Sequence, residues 1–113
     1  MPETIFTKII NKQIPAKIAH EDDTYIAIHD VNPQAPVHLL IIPKQRQIAT
    51  LNDLQPADAD LVGGMFLLAK QLMSDLGHTD YRTVFNCGPA AGQSVFQIHL
   101  HVLAGRPLGW PPG

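Results

Sequence analysis

Cysteine is almost absent from this chain, which has one, Cys87, in 113 residues. A single cysteine excludes an intrachain disulfide framework and is typical of a protein in a reducing compartment. Because no basic residue adjoins Cys87, we interpret it as a buried, unreactive thiol rather than a nucleophile.

Long apolar runs and an excess of positive charge are missing as well. No segment is apolar enough to span a membrane, and the first residues lack the basic start and apolar core of a signal peptide. The net charge of −2 disfavours sequence-independent binding of nucleic acid, which depends on many Lys and Arg contacts to phosphate. We therefore expect a cytoplasmic protein without membrane or nucleic-acid partners. A single small nucleotide remains compatible with this charge.

The apolar pattern is that of one small globular domain, 1–113, with 45% hydrophobic and 16% charged residues. Apolar residues spaced by three and four predict a short helix over 5–10 and a long helix from Pro56 to Gly77. Alternating or continuous apolar residues predict strands at 17–20, 25–30, 37–43, 81–86 and 95–103. The sequence therefore predicts an α+β domain with a five-stranded, mainly antiparallel sheet, one short N-terminal helix and one long central helix.

Two histidines stand two residues apart in the last predicted strand. Alternation there puts Gln97, His99 and His101 on one face, with neighbouring imidazoles roughly 6 to 7 Å apart. The preceding loop, with Gly92 and Ser94, is of the kind whose backbone N–H groups and hydroxyl can face an anion. A His-X-His pair on an antiparallel strand is more often a solvated surface feature, but this loop favours a phosphate site.

Several short segments, spread almost from end to end of the chain, carry a resemblance to a known family. They are Ile5–Phe6 with Ile9–Ile10, Ile14–Lys17, His29–Pro36, His38 with Ile42–Lys44, Gly92–Val95 and Trp110–Gly113. In this order they resemble the histidine triad (HIT) superfamily, and within it the nucleotide-binding branch that hydrolyses nucleoside phosphoramidates. The resemblance implies a HIT-like fold. The family signature alternates three histidines with apolar residues, and here Gln97 replaces the first.

The resemblance implies a chemistry for the remaining histidines. His99 would attack the α-phosphate of a purine nucleoside phosphoramidate, and water would hydrolyse the nucleotidyl-histidine to a nucleoside monophosphate. His101 would donate to a phosphate oxygen, His38 would join the cluster, and Ser94 would lie near the leaving nitrogen. No cofactor or metal is implied, because the histidines supply the chemistry. Three other histidines, His20, His29 and His78, match no active-site position.

The nucleotide itself would be held by polar groups and an apolar slot. Asp30 would accept from the ribose hydroxyls, Asn86 would offer an amide, and backbone N–H groups of Gly92, Gln93 and Ser94 would face the phosphate. The slot for the base would consist of Ile5, Phe6, Ile9, Ile28 and Val31, although ordinary core packing is an equally good interpretation of each.

Two alternatives stay open at this stage. Gln97 cannot exchange protons near neutral pH, so the protein could be a nucleotide-binding module with little turnover. Our hypothesis is instead that position 97 orients His99 through its main-chain carbonyl, which a change of side chain leaves intact. The second alternative is a structural zinc site from His38, His99, His101 and Cys87.

The resemblance also implies a homodimer, since members of the family form one. The apolar C-terminal segment, with Trp110, is consistent with a contact near the neighbouring subunit's site. Packing of the same segment on its own domain would explain its composition equally well.

Overall fold

The computed structural model describes residues 2–113, which form two α-helices and five β-strands. Short 3-10 turns lie at Leu51–Asp53, Pro56–Asp58 and Pro89–Ala91. In chain order the main elements are α1 (Ile5–Ile10), β1 (Ile18–Glu21), β2 (Tyr25–His29), β3 (Val37–Pro43), α2 (Ala59–Asp75), β4 (Arg82–Val84) and β5 (Leu100–Ala104). The predicted fold class is confirmed.

The five strands form one sheet in the order β1-β2-β3-β5-β4, and every neighbouring pair is antiparallel. β3 lies at the centre, as expected for a strand with apolar residues on both of its faces. Its register with β5 pairs Leu40 with His101 and His38 with Leu103. Because cross-strand partners share a face, His38 and His101 point to the same side of the sheet.

The two faces of the sheet are covered by different helices. On one face, Met65, Ala69 and Met73 of α2 pack against alternate residues of the central strands, among them Leu39, Ile41, Leu100 and Val102. On the other face, Phe6 and Ile9 of α1 pack against the intervening residues Ile26, Ile28, Leu40 and Ile42. The histidines therefore lie on the face that carries the short helix.

α1 has only six residues, so its stability depends on its cap and its packing rather than on helix propensity. Thr4 is the N-cap, and Thr7 completes a capping box with it. Phe6 and Ile9 are buried. This arrangement fixes the direction in which the helix meets the sheet.

α2 ends at Asp75, and Gly77, which was predicted to stop it, follows with a φ of +81°. It begins at Ala59 rather than at Pro56, because Pro56–Asp58 form a tighter 3-10 turn. None of the helices over residues 2–113 is both long and apolar enough to cross a membrane.

The last two strands are shorter than predicted. β4 covers Arg82–Val84 instead of 81–86, and β5 begins at Leu100 instead of at Val95. The segment ahead of β5 leaves the sheet because its backbone bonds elsewhere: the Ile98 N–H donates to the Ile48 carbonyl over 2.7 Å. The alternation of side chains nevertheless persists, since Ile98 packs with Leu100 and Val102 in the core under α2.

Candidate active site

A cavity of about 300 Å³ opens on the α1 face of the sheet, where most of the predicted site residues meet. Its apolar side is formed by the predicted base slot, Ile5, Phe6, Ile9, Ile28 and Val31. Its polar side is formed by Asp30, Asn86, Gly92, Ser94, His99 and His101. The slot is open at its mouth, since Val31 is 99% exposed and Ile5 is 51% exposed.

His99 is held by a main-chain carbonyl. Its Nδ1 lies 2.8 Å from the Gln97 carbonyl oxygen, which can only accept. Nδ1 therefore carries the proton, and Nε2 of the neutral ring keeps its lone pair. The Phe6 ring meets the imidazole edge-on at 4.8 Å between centroids. Burial lowers the His99 pKa below its usual value despite that carbonyl and Asp30, so the ring is neutral at pH 7.

A second chain of hydrogen bonds fixes His101 in the opposite tautomer. The Gln34 N–H, which can only donate, lies 3.0 Å from Nδ1 of His38. Nε2 of neutral His38 therefore carries the proton and donates to Nδ1 of His101, 2.9 Å away. His101 in turn carries its own proton on Nε2. The site thus combines a lone pair on His99 with an N–H donor on His101.

The electrostatics keep these rings uncharged near neutral pH. Burial, and then the neighbouring His99 and His38, lower the His101 pKa to about 4. Burial also lowers the His38 pKa, although the nearby Asp30 opposes this. A neutral cluster suits a site that exchanges protons, because each ring can still accept a second proton at physiological pH.

The two rings of the His-X-His pair are closer than predicted. Their centroids are 5.0 Å apart, against the 6 to 7 Å expected on one continuous strand. The prediction assumed one continuous strand and was wrong, because His99 precedes β5 and the Ile98 N–H donates to the Ile48 carbonyl outside the sheet. His38 also lies close to His101, with 5.2 Å between ring centroids.

The loop before the histidines differs from its predicted role at Gly92 and Gln93. The Gly92 and Gln93 N–H groups donate to the carbonyls of Pro89 and Gly88 rather than facing the cavity. The Gln93 side chain is buried, where it accepts from Gly88 and donates to Ala49. Gln93 therefore supports the loop instead of lining the cavity.

The next two residues of this loop remain available to an anion. None of the hydrogen bonds found within residues 2–113 uses the amides of Ser94 or Val95, and both residues line the cavity. The backbone donors available to an anion are thus the N–H groups of Ser94 and Val95, and not those of Gly92 and Gln93.

The Gln97 side chain lies outside the cavity. It is 2% exposed, and its Oε1 accepts a 2.6 Å hydrogen bond from the Thr4 hydroxyl. Gln97 was predicted to contribute to catalysis. Its hydrogen bond to a histidine of the site is made by its main-chain carbonyl and not by its side chain. This is the geometry that our hypothesis for position 97 requires.

One cluster could hold a metal ion, but it is not the predicted one. Within residues 2–113, the groups that come close enough together are Asp30, His38 and His101. His99 and Cys87 do not belong to it, so the predicted zinc ligands are not assembled. A metal there would also have to displace the proton that His38 and His101 share.

A larger hollow, of about 680 Å³, lies away from these histidines, around Tyr81, Arg82 and Arg106. Both guanidinium groups already donate to main-chain carbonyls, Arg82 to Gly109 and Arg106 to Gln34. A single histidine, His78, lines this hollow, which therefore lacks the paired imidazoles of the smaller cavity.

Known proteins resemble this chain in sequence and in fold. Residues 3–107 match the family model described as scavenger mRNA decapping enzyme C-term binding. An uncharacterized HIT-like protein of Synechocystis sp. is 52% identical over 112 residues, which cover 98% of this chain and 97% of that protein. The chain belongs to the histidine triad superfamily.

Solved structures of histidine triad proteins superpose closely on this one. A HIT family hydrolase from Legionella pneumophila has a TM-score of 0.94 and 45% identity, covering 98% of this chain and 100% of its own. Another, from Clostridium thermocellum, has a TM-score of 0.91 and 41% identity, covering 96% of each chain. The HIT-like fold implied by the sequence resemblance is therefore confirmed.

Sequence reasoning missed three contributors to this histidine triad site. Thr4 bonds Gln97, the Gln34 amide sets the His38 tautomer, and His29, which had been set aside, borders the cavity at the end of β2. Thr4 directly precedes the predicted helix, where a threonine is expected to act as N-cap, but its bond to Gln97 joins residues far apart in the chain. A backbone amide has no signature in the sequence, which is why Gln34 could not be found.

Proposed function

We propose that this protein is a nucleotide-binding hydrolase that cleaves the P–N bond of purine nucleoside phosphoramidates through a nucleotidyl-histidine. The observation that carries the proposal is the opposite protonation of two neighbouring rings. His99 presents a lone pair and His101 presents an N–H, 5.0 Å apart between centroids, at the polar end of one cavity. Such a pair can attack a phosphorus atom and stabilise the charge that develops on its oxygen.

In the first step, the Nε2 lone pair of His99 forms a bond to phosphorus while the P–N bond breaks. The leaving nitrogen takes a proton from solvent, through the Ser94 hydroxyl, and departs as an amine. The imidazole becomes positively charged, and the Gln97 carbonyl and Asp30, which both favour its charged form, stabilise it. His101 and the free Ser94 amide would donate to the phosphate oxygens.

In the second step, water attacks the same phosphorus and the bond to Nε2 breaks. The attacking water releases one proton to solvent, the product is a nucleoside monophosphate, and His99 regains its lone pair. Two smaller barriers replace one larger barrier.

The rest of the cavity supports a nucleoside as the bound group. Its apolar side would take the base, and the Asp30 carboxylate and the Asn86 amide would meet ribose hydroxyls. Asp30 is held in place by the Asn32 N–H, which donates to one carboxylate oxygen over 2.9 Å. The other oxygen lies 3.4 Å from Nε2 of His38.

The proposal is tested by incubation with adenosine 5′-phosphoramidate. The parent protein should release AMP and ammonia, and His99→Ala should release none while still binding AMP. Release by His99→Ala at the parent rate would refute His99 as the nucleophile. A parent that binds AMP without turnover would instead identify the protein as a binding module.

We further propose that two copies of the chain form a homodimer. β4 is an edge strand of the sheet, and Phe66 of α2 contacts Phe85, directly after β4, with 5.9 Å between ring centroids. Phe66 (43%) and Leu67 (68%) are both exposed. An unpaired edge next to an exposed apolar patch is a typical protein interface. Trp110, 83% exposed, would then reach the neighbour's cavity. Sedimentation of the parent and of Leu67→Glu tests this, since only the parent should form a dimer.

A further inference from the structure

One hydrogen bond joins the first turn of α1 to the segment that carries the histidine pair. The Thr4 hydroxyl donates to Gln97 Oε1 over 2.6 Å, between residues 93 positions apart in the chain. The same hydroxyl oxygen accepts from the N–H groups of Phe6 and Thr7, at 3.1 and 3.2 Å. A hydroxyl has one proton and two lone pairs, so its capacity is fully used. The proton must therefore go to the oxygen of Gln97.

Gln97 takes part in two contacts that lead in different directions. Its side chain accepts from Thr4, and its main-chain carbonyl accepts from Nδ1 of His99. Because the side chain is 2% exposed, water cannot replace Thr4 as its partner. Loss of the Thr4 hydroxyl would leave a buried acceptor unpaired, which favours a shift of the residue.

Thr4 likewise fixes more than a helix end. The helix that it caps carries Ile5, Phe6 and Ile9 of the apolar slot, and the Phe6 ring contacts His99 at 4.8 Å. The His99 ring is thus held by a hydrogen bond to the Gln97 carbonyl and by a contact with Phe6. The Thr4–Gln97 bond connects these two supports.

We infer that Thr4 and Gln97 act together as positioning residues, which align His99 with the apolar slot. This inference rests on the proposed function, because the alignment affects a rate only if His99 attacks the substrate. A carboxamide suits the position because it does not titrate. A histidine at position 97 would lose its acceptor whenever it became protonated, since both nitrogens of an imidazolium are donors.

A double-mutant cycle tests the inference. Thr4→Val removes the hydroxyl and Gln97→Met removes the acceptor, while both keep similar size and leave the position 97 carbonyl in place. Each single change should lower kcat on adenosine 5′-phosphoramidate about tenfold, because a small misplacement of a nucleophile is costly. The double variant should lose about the same tenfold. Thr4→Ser, which keeps the hydroxyl, should recover most of the rate.

Thr7→Val is the matched control. Thr7 forms the other half of the capping box: its hydroxyl accepts from the Thr4 N–H and donates to the Thr4 carbonyl, and not to Gln97. Thr7→Val should therefore lower the melting temperature as Thr4→Val does. At assay temperatures below the melting range, it should leave kcat unchanged. Equal losses of kcat in the two variants would reduce Thr4 to a helix cap and overturn the inference. This comparison also serves if Gln97→Met does not fold.

Failure of the inference can be told apart from failure of the proposed function. If the parent releases AMP and the Thr4 and Gln97 effects multiply to about a hundredfold, the residues act separately and the inference alone is wrong. If the parent releases no AMP, the proposed function is wrong and the inference falls with it.

Discussion

His38 Nε2 and His101 Nδ1 lie 2.9 Å apart, and the proton between them belongs to His38. This follows because the Gln34 amide occupies the other nitrogen of His38 as a donor. His101 must then present its own N–H to the cavity, next to the lone pair of His99. The main-chain amide of Gln34 thus determines that His101 presents an N–H to the cavity.

Replacement of His38 by Leu should therefore disturb His101 and spare the protonation of His99. Without its donor, His101 would populate both tautomers, and kcat should fall about tenfold, the value of one neutral hydrogen bond. Nitrogen-15 NMR of the imidazoles measures this directly. An unchanged His101 tautomer in His38→Leu would contradict the chain of bonds described above.

The rate should depend on pH through the nucleophile. Burial lowers the His99 pKa below its usual 6.5, so the attacking lone pair is present throughout the neutral range. We expect the acid decline of kcat/KM, caused by protonation of His99, to have its midpoint below pH 6.5. A decline that is already half complete at pH 6.5 would show that burial does not control this ring.

Stability should fall with pH in a window set by His101. Its folded pKa is about 4, whereas the unfolded chain has the usual value of 6.5. Between these values the unfolded state binds more protons, so acidification favours unfolding. The free energy of unfolding should decrease from pH 6.5 towards pH 4, with a smaller decrease in His101→Asn. The same slope in both proteins would contradict the assignment.

A lower window belongs to Asp58, whose pKa is held at about 2 chiefly by hydrogen bonds from Arg46 and the Gln55 N–H. Its folded pKa lies below the unfolded value of 3.8, so its contribution is complete above pH 3.8 and is lost as pH falls towards 2. Asp58→Asn should remove this lower step without altering the decrease between pH 6.5 and pH 4 that belongs to His101. Acid titrations of stability by circular dichroism separate the two.

Two neighbouring glycines of α2 should respond oppositely to the same substitution. A Cβ on Gly64 would lie 2.1 Å from the hydroxyl of Tyr25, which donates to the Leu61 carbonyl, whereas a Cβ on Gly63 would meet nothing within 4 Å. Gly64→Ala should destabilise the fold by about 1 to 3 kcal/mol. Gly63→Ala should stabilise it by about 0.5 to 1 kcal/mol, through helix propensity. Denaturant unfolding checks both, and Tyr25→Phe should relieve part of the Gly64→Ala loss.

Restoring a histidine at position 97 should change little. The contact with His99 comes from the main chain, which Gln97→His leaves intact, and a neutral imidazole can still accept from Thr4. We expect kcat within about tenfold of the parent, or about 1.4 kcal/mol of barrier. A hundredfold gain would show that the ring of the first triad histidine, and not its carbonyl, controls His99.

The sequence predicted those features that depend on local periodicity and on a shared motif. The helices, the number of strands, their mainly antiparallel pairing and most residues of the cavity were predicted, since the apolar spacing and the motif segments determine them. The sequence did not predict the bond from Ile98 to Ile48 or the internal bonds of the Gly92 and Gln93 amides. These depend on segments that meet only in the folded chain, and the wrong strand limits and the displaced Gln93 follow from them.

The stereochemical course at phosphorus tests the central claim most directly. A nucleoside phosphoramidate made chiral at phosphorus, with sulfur in place of one oxygen, would be cleaved in isotopically labelled water. Attack by His99 followed by water inverts the phosphorus twice, so the expected product retains its configuration. A product of inverted configuration would show that water attacks directly, and would contradict the role of His99 as nucleophile.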